Sequence, residues 1–283
     1  MPPRCWQLPT PWRVPSSGGI MGILNATPDS FSDGGRFVSV EAALAHARRM
    51  VDDGAHIIDV GGESTRPGSE EVAPEEELRR TLPIIAALRD ALPDTLLSID
   101  TRHASVAAAA LQAGVHIIND ISGLADPAMR EMCAAHACGI VLMHMQGTPA
   151  TMQRAPHYDD AVAEVRDFFV RRLRLAEQAG IDPARICLDP GIGFGKSTLH
   201  NLTLIAHLEQ LRCRNLPILI GLSRKRFLSE LFSPPSLAKS SPLPTLALSL
   251  IASLHGADLH RVHDVQPLSH ALAHHAHSGT QPQ

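Results

Sequence analysis

Eight times along this chain a short apolar run ends in a polar residue and gives way to a helical pattern. That alternation constrains the fold more than any other feature of the sequence. The runs are Ile20–Leu24 ending at Asn25, His56–Val60 leading into Gly61-Gly62-Glu63, Leu96–Ile99 ending at Asp100, and His116–Ile118 ending at Asn119-Asp120. They continue as Gly139–Met143 ending at His144, Arg185–Leu188 ending at Asp189, Ile218–Gly221 before Ser223-Arg224-Lys225, and the run from Leu259 to Asp264. Between them helical spacing predicts helices over Val40–Val51, Pro74–Leu92, His103–Ala113, Asp126–Ala137, Tyr158–Gly180, Thr198–Leu211 and Thr245–His255. The segment Gly54-Ala55-His56-Ile57-Ile58-Asp59 is echoed by Gly114-Val115-His116-Ile117-Ile118-Asn119, as expected of a repeated unit. Apolar strands alternating with helices imply a parallel sheet buried on both faces. Eight units in a chain of 283 residues predict a single-domain (β/α)8 TIM barrel, with an open doubly wound sheet as the alternative.

Residues 1–19, rich in proline and holding Trp6 and Trp12, read as a partly ordered leader; residues 20–275 form the barrel and 276–283 a disordered tail. His270, His274, His275 and His277 are expected to be solvated and poorly ordered rather than a ligand cluster. The formal charge of −4, without blocks of like charge, excludes a generic nucleic-acid surface. No apolar run approaches the ~18–20 residues of a membrane helix. Five cysteines without a CxxC pair read as reduced thiols, so a cytoplasmic protein is expected.

In a barrel of this kind the C-terminal ends of the strands meet at one mouth. The tips here are carboxylates and amides on the middle strands and cations on the last two. Asp100, Asn119 and Asp189 can pair with a flat heterocycle carrying ring N–H, amino and carbonyl groups. Lys225 can cover a ring carbonyl or nitrogen. Arg261 and His263, two apart on one strand, can hold an anion such as a phosphate. Asn25 offers a neutral oxygen suited to Mg2+ held mainly by substrate phosphates. After Asp189 stand Gly191, Gly193 and Gly195, a backbone-rich loop that faces a ligand. Lys196 follows that loop, but Pro190 breaks the Walker spacing, so nucleotide binding is not expected.

Five ordered motifs closely resemble dihydropteroate synthases: residues 22–35 (GILNATPDSFSDGG), 62–68 (GESTRPG), 189–196 (DPGIGFGK), Ser223-Arg224-Lys225 and Arg261-Val262-His263-Asp264-Val265. The resemblance covers roughly residues 20–266. It implies an enzyme of folate synthesis that joins hydroxymethyl-dihydropterin diphosphate to p-aminobenzoate with release of diphosphate, commonly a homodimer and a sulfonamide target. Carried over by motif, Asp100, Asn119, Asp189 and Lys225 grip the pterin, with Met143 and Gly221 completing the substrate-binding set. Asn25, Arg261 and His263 hold the diphosphate and Mg2+, while Thr65, Arg66, Pro67, Phe194, Ser223 and Lys225 frame p-aminobenzoate. Asp33, on the first loop, is expected to stabilise the electron-poor methylene, which places it with Lys225, Arg261 and His263 as a catalytic residue.

The chain departs from the family between Ser233 and Thr245, where four prolines and no arginine replace a glycine-rich segment with an arginine. That segment adjoins the helices through which family dimers pack. A methyltetrahydrofolate-corrinoid methyltransferase is a rival reading, but it needs neither the Thr27–Gly35 loop nor the Arg-x-His pair. A synthase-like paralogue that binds pterin without catalysis is the other.

Overall fold

The computed structural model describes residues 4, 6–10, 12–26, 39–64, 71–234, 236 and 241–278. Eight parallel strands run β1 (Gly19–Asn25), β2 (Ile57–Gly61), β3 (Leu96–Asp100), β4 (Ile117–Asp120), β5 (Gly139–Met143), β6 (Ile186–Asp189), β7 (Leu219–Ile220) and β8 (Leu259–Val262). They pair in the order β6-β5-β4-β3-β2-β1-β8-β7. A bridge from Leu188 to Ile218 brings the two ends together, so the sheet is a barrel and not an open doubly wound sheet.

The connecting helices are α1 (Val40–Asp52), α2 (Pro74–Ala91), α3 (Ala104–Gln112), α4 (Pro127–Ala135), α5 (Ala161–Gln178) and α6 (Thr198–Ala206). They continue with α7 (Leu208–Leu211), α8 (Leu228–Leu231), α9 (Leu243–Leu254) and α10 (Val265–Ser278). The helix expected over Thr198–Leu211 is two, because His207 leaves helical backbone with φ −124° and ψ 29°. The histidine-bearing C-terminal stretch, expected as tail, is helical through Ser278. Val265, Leu268 and Leu272 bury one face of α10, leaving His270 and His274 exposed.

Side chains alternate across each strand. Outward residues such as Ile58, Leu97, Ile118 and Ile140 meet the apolar faces of the helices in one large core. Inward, Met21, Ile57, Leu96, Ile117, Val141, Cys187, Leu219 and Leu259, one from each strand, form a closed apolar ring near the strand starts. The leader seals this ring from below. Trp6 is fully buried against it with Leu8 and Val14, and the indole Nε1 donates to the Arg185 carbonyl at 2.7 Å.

The echoed segments share one structural task. His56 Nδ1 accepts from the Ile20 N–H, and His116 Nδ1 accepts from the Leu97 N–H, each at 3.1 Å. Each histidine thus ties the start of its strand to the preceding one. Burial lowers both imidazole pKa values and favours the neutral, accepting form.

Candidate active site

Two residues beyond the apolar ring, each strand presents the next inward side chain: Ile23, Asp59, Ser98, Asn119, Met143, Asp189, Gly221 and Arg261. This upper ring is mostly polar. It floors a cavity of about 620 Å³ at the C-terminal mouth. Asn25, Asp100, Asn119, Met143, Asp189, Phe194, Gly221, Ser223, Lys225, Arg261 and His263 all line the cavity, so the barrel gathers these expected residues in one place. Asp33, Thr65, Arg66 and Pro67 lie outside the described residues.

Arg261 organises the floor. Its Nε donates to Asp59 Oδ2 at 2.6 Å and its Nη2 to Asp100 Oδ2 at 2.7 Å. Burial opposes its charge, but Asp59 and Asp100 more than compensate, so its pKa is raised. Asn119 Nδ2 donates to the same Asp59 oxygen at 3.0 Å. Carboxylates and cations are therefore interlocked across the barrel rather than segregated into two halves.

Asp59 was not among the residues expected in the site. It is fully buried and holds both an arginine and an amide in place. The signal was a lone carboxylate inside an apolar strand, at the same inward parity as Ile57 and Gly61.

Asp100 is held up at about 7, first by burial, against the pull of Arg261, with Asp59 adding to the rise. Burial also raises Asp189, although its Oδ1 accepts from the Gly191 N–H at 2.7 Å. Lys225 is lowered to about 8, first by burial and next by the charge of Arg261. Its Nζ stands 3.8 Å over the Phe194 ring, an ammonium on an aromatic face. Ser223 Oγ meets His263 Nδ1 at 2.9 Å and accepts from the His263 N–H at 3.2 Å, joining the last two strand ends.

The loop after Asp189 uses its glycines to approach the barrel closely. Gly191, at φ +64°, lies where a Cβ would sit 1.9 Å from the His144 carbonyl oxygen. Lys196 is buried inside this loop, donating to the carbonyls of Gly191 at 3.0 Å and Phe194 at 2.9 Å and meeting His144 Nδ1 at 2.9 Å. It braces the loop and does not reach the cavity. His144, a strand tip, likewise turns away from the mouth and packs edge-on against Phe168 at 4.8 Å. Met143, the residue before it, lines the cavity instead.

The pterin binding enzyme family model matches residues 21–263. The chain is 48% identical over 251 residues to the dihydropteroate synthase of Synechocystis, covering 88% of this chain and 86% of that one. It is 46% identical to that of Escherichia coli K12, covering 89% of each. Among solved structures, dihydropteroate synthase of Xanthomonas albilineans with 4-aminobenzoic acid superposes with a TM-score of 0.88 at 45% identity and 96% coverage of both chains. The same organism's enzyme in complex with 7,8-dihydropteroate gives 0.83 at 43% identity, covering 94% and 95%. The Yersinia pestis synthase in a sulfonamide drug complex gives 0.89 at 42%, covering 95% of this chain and 98% of that one. This chain belongs to the pterin binding enzyme family, and within it to the dihydropteroate synthases.

Proposed function

We propose that the protein transfers the pterinylmethyl group of 6-hydroxymethyl-7,8-dihydropterin diphosphate to the amino nitrogen of p-aminobenzoate, giving 7,8-dihydropteroate and diphosphate. The observation that carries this reading is the cavity at the strand tips, where Asp100, Asn119 and Asp189 gather with Lys225, Arg261 and His263. A ring bearing an amino group, a carbonyl and ring N–H groups matches such a set: carboxylates accept from its N–H groups, the amide both donates and accepts, and Lys225 donates to its oxygen or ring nitrogen.

The reaction separates charge. The C–O bond breaks with its electron pair leaving on the diphosphate, and the arylamine lone pair forms the new C–N bond before the ammonium releases a proton to solvent. Arg261 and His263 stabilise the leaving anion. Ser223 orients His263 through Nδ1, and Asp59 orients Arg261 through Nε. Asp33, Thr65, Arg66 and Pro67 retain the roles implied by the motifs, the first toward the developing cation and the others around p-aminobenzoate.

Asn25 lines the cavity. Among the described residues no group of three or more His, Cys, Asp or Glu side chains could hold a metal alone. One neutral oxygen beside a diphosphate subsite fits Mg2+ carried mainly by that diphosphate. When bound, Mg2+ would draw charge from the leaving group.

A homodimer through α9 fits its apolar outward stripe, on which Leu243, Ile251 and Leu254 are exposed. Sedimentation of a Leu254→Glu variant as a smaller species would support it. No helix among the described residues is long and apolar enough to cross a membrane, and a cytoplasmic location is part of the proposal.

The test of the function is diphosphate release from purified protein with Mg2+, the pterin diphosphate and p-aminobenzoate, each omitted in turn. Release that requires both organic substrates, with dihydropteroate formed in step, is expected. Tight pterin binding without release would point instead to a paralogue that has lost catalysis.

A further inference from the structure

The loop that follows Asp189 lies between two lysines. Behind it Lys196 is buried, and its Nζ donates to the Gly191 carbonyl at 3.0 Å, to the Phe194 carbonyl at 2.9 Å and to His144 Nδ1 at 2.9 Å. Burial, and then the charge of Lys196, hold His144 neutral, which leaves that nitrogen able to accept. An ammonium has three protons, and these acceptors use all of them. The His144 carbonyl is farther away, at 3.5 Å. Two more ties hold the loop: Gln153 Nε2 donates to the Gly193 carbonyl at 2.7 Å, and the Gly193 N–H donates to Asn201 Oδ1 at 2.8 Å. On the cavity side Lys225 rests on the same residues. Its Nζ stands 3.8 Å over the Phe194 ring, and a Cβ added at Gly193 would meet its Cδ at 3.1 Å, so the stem runs across that glycine.

We infer that Lys196 is a positioning residue for Lys225: it holds the Gly191 and Phe194 carbonyls from behind and so fixes the surface along which Lys225 extends toward the pterin. The inference rests on the reading above that Lys225 donates to the pterin oxygen or ring nitrogen. A flexible four-carbon stem loses less freedom on meeting its target when it already lies on a fixed surface. The Phe194 N–H also donates to the Gly191 carbonyl, at 3.0 Å, so a single turn carries both the brace and the ring. Burying an ammonium among carbonyls is costly to the fold, and the segment it secures is the one that forms the cavity wall at Gly191, Ile192 and Phe194. Lys196 touches no reacting atom; its effect passes through Lys225.

Calorimetric binding of the pterin diphosphate with Mg2+ and no acceptor tests this in Lys196→Met, Lys225→Met and the double variant Lys196→Met/Lys225→Met. Lys196→Met fills similar space without donors and weakens binding about tenfold, whereas in the Lys225→Met background the same change has an effect below about twofold. A brace with a merely structural role weakens both backgrounds equally; that result, or no loss in Lys196→Met, overturns the assignment. Should Lys196→Met fold poorly, Lys196→Gln keeps a donor for the carbonyls without the charge and gives a smaller loss, again absent beside Lys225→Met. Binding is read without turnover, so the two readings fail separately. Wild-type protein that binds the pterin diphosphate but releases no diphosphate with p-aminobenzoate overturns the synthase reading alone, and wild-type protein that does not bind it overturns both.

Discussion

The lower and upper inward rings of the barrel come from the same eight strands, one step of two residues apart, yet they are chemically opposite. The lower ring is apolar on every strand and capped by Trp6. The upper ring sets Asp59, Asn119, Asp189 and Arg261 among fewer apolar members and opens on the cavity. The backbone is not the main source of the difference, because from β1 to β3 register and hydrogen bonding run unbroken through both levels. What differs is the side-chain chemistry at alternate positions: below, burial of apolar area holds the barrel closed; above, buried charges are tolerated because they pair with one another or wait for a ligand.

Substitution at the lower ring tests the stability half of this contrast and carries the largest expected effect. Trp6→Ala removes a fully buried indole and its hydrogen bond to the Arg185 carbonyl, at a cost of about 3–5 kcal/mol. Denaturant unfolding reads the loss, while kcat of the remaining folded protein stays at the wild-type value. A fall in kcat without a fall in stability would mean that the leader communicates with the mouth.

At the upper ring the signs reverse. Asp189 is buried and forms no ion pair among the described residues, and burial raises its pKa, so its charge is costly to the fold. Asp189→Asn therefore leaves the melting temperature unchanged or higher. It removes charge-assisted acceptance from the pterin, lowering kcat/KM for the pterin diphosphate about a hundredfold or more. Parallel losses of stability and activity would break the contrast.

Asp59 sits between the two cases. As the shared partner of Arg261 and Asn119 it supports the floor without lining the cavity. Asp59→Asn keeps the shape and removes the charge, costing about 1–3 kcal/mol of stability and about tenfold in kcat/KM. Loss in only one of the two measurements would assign Asp59 wholly to one ring's task.

Much of this arrangement was legible before the fold. Strand starts and polar tips show in the sequence because apolar runs and turn residues are local signals, and β5 and the ends of β1, β3 and β6 fall where the pattern predicts. Asp59 was not legible as a site residue, since its parity acquires meaning only through the pairing of Asp59 with Ser98 and closure of the barrel. The same holds for Trp6, whose target ring has no sequence neighbours. Lys196 and His144 carry site-like chemistry, yet they turn toward each other because the glycine loop folds back over the His144 carbonyl. The missed helix α10 had its spacing of Val265, Leu268 and Leu272 in plain view, masked by the histidines between them.

The smallest effect sharpens the mouth above the upper ring. Asp100 titrates near 7 because burial penalises its charge, and Lys225 near 8 because burial and Arg261 penalise its own. A pterin without diphosphate, followed by calorimetry, isolates these groups from the titration of the phosphates. Below about 7 Asp100 takes up a proton and loses its accepting charge, so affinity falls, approaching tenfold per pH unit well below that value. Above about 8 Lys225 gives up its proton and its charge, so affinity falls again, leaving a narrow maximum between the two. Asp100→Asn weakens binding at the maximum, removes Asp100 from the acid limb, and moves the alkaline limb downward, because the charge of Asp100 helps to keep Lys225 protonated. Affinity that stays flat from roughly pH 5.5 to 9 in the wild type would show that the pterin does not read these charges. The charges at the mouth would then be a structural ion-pair network like those elsewhere in the barrel.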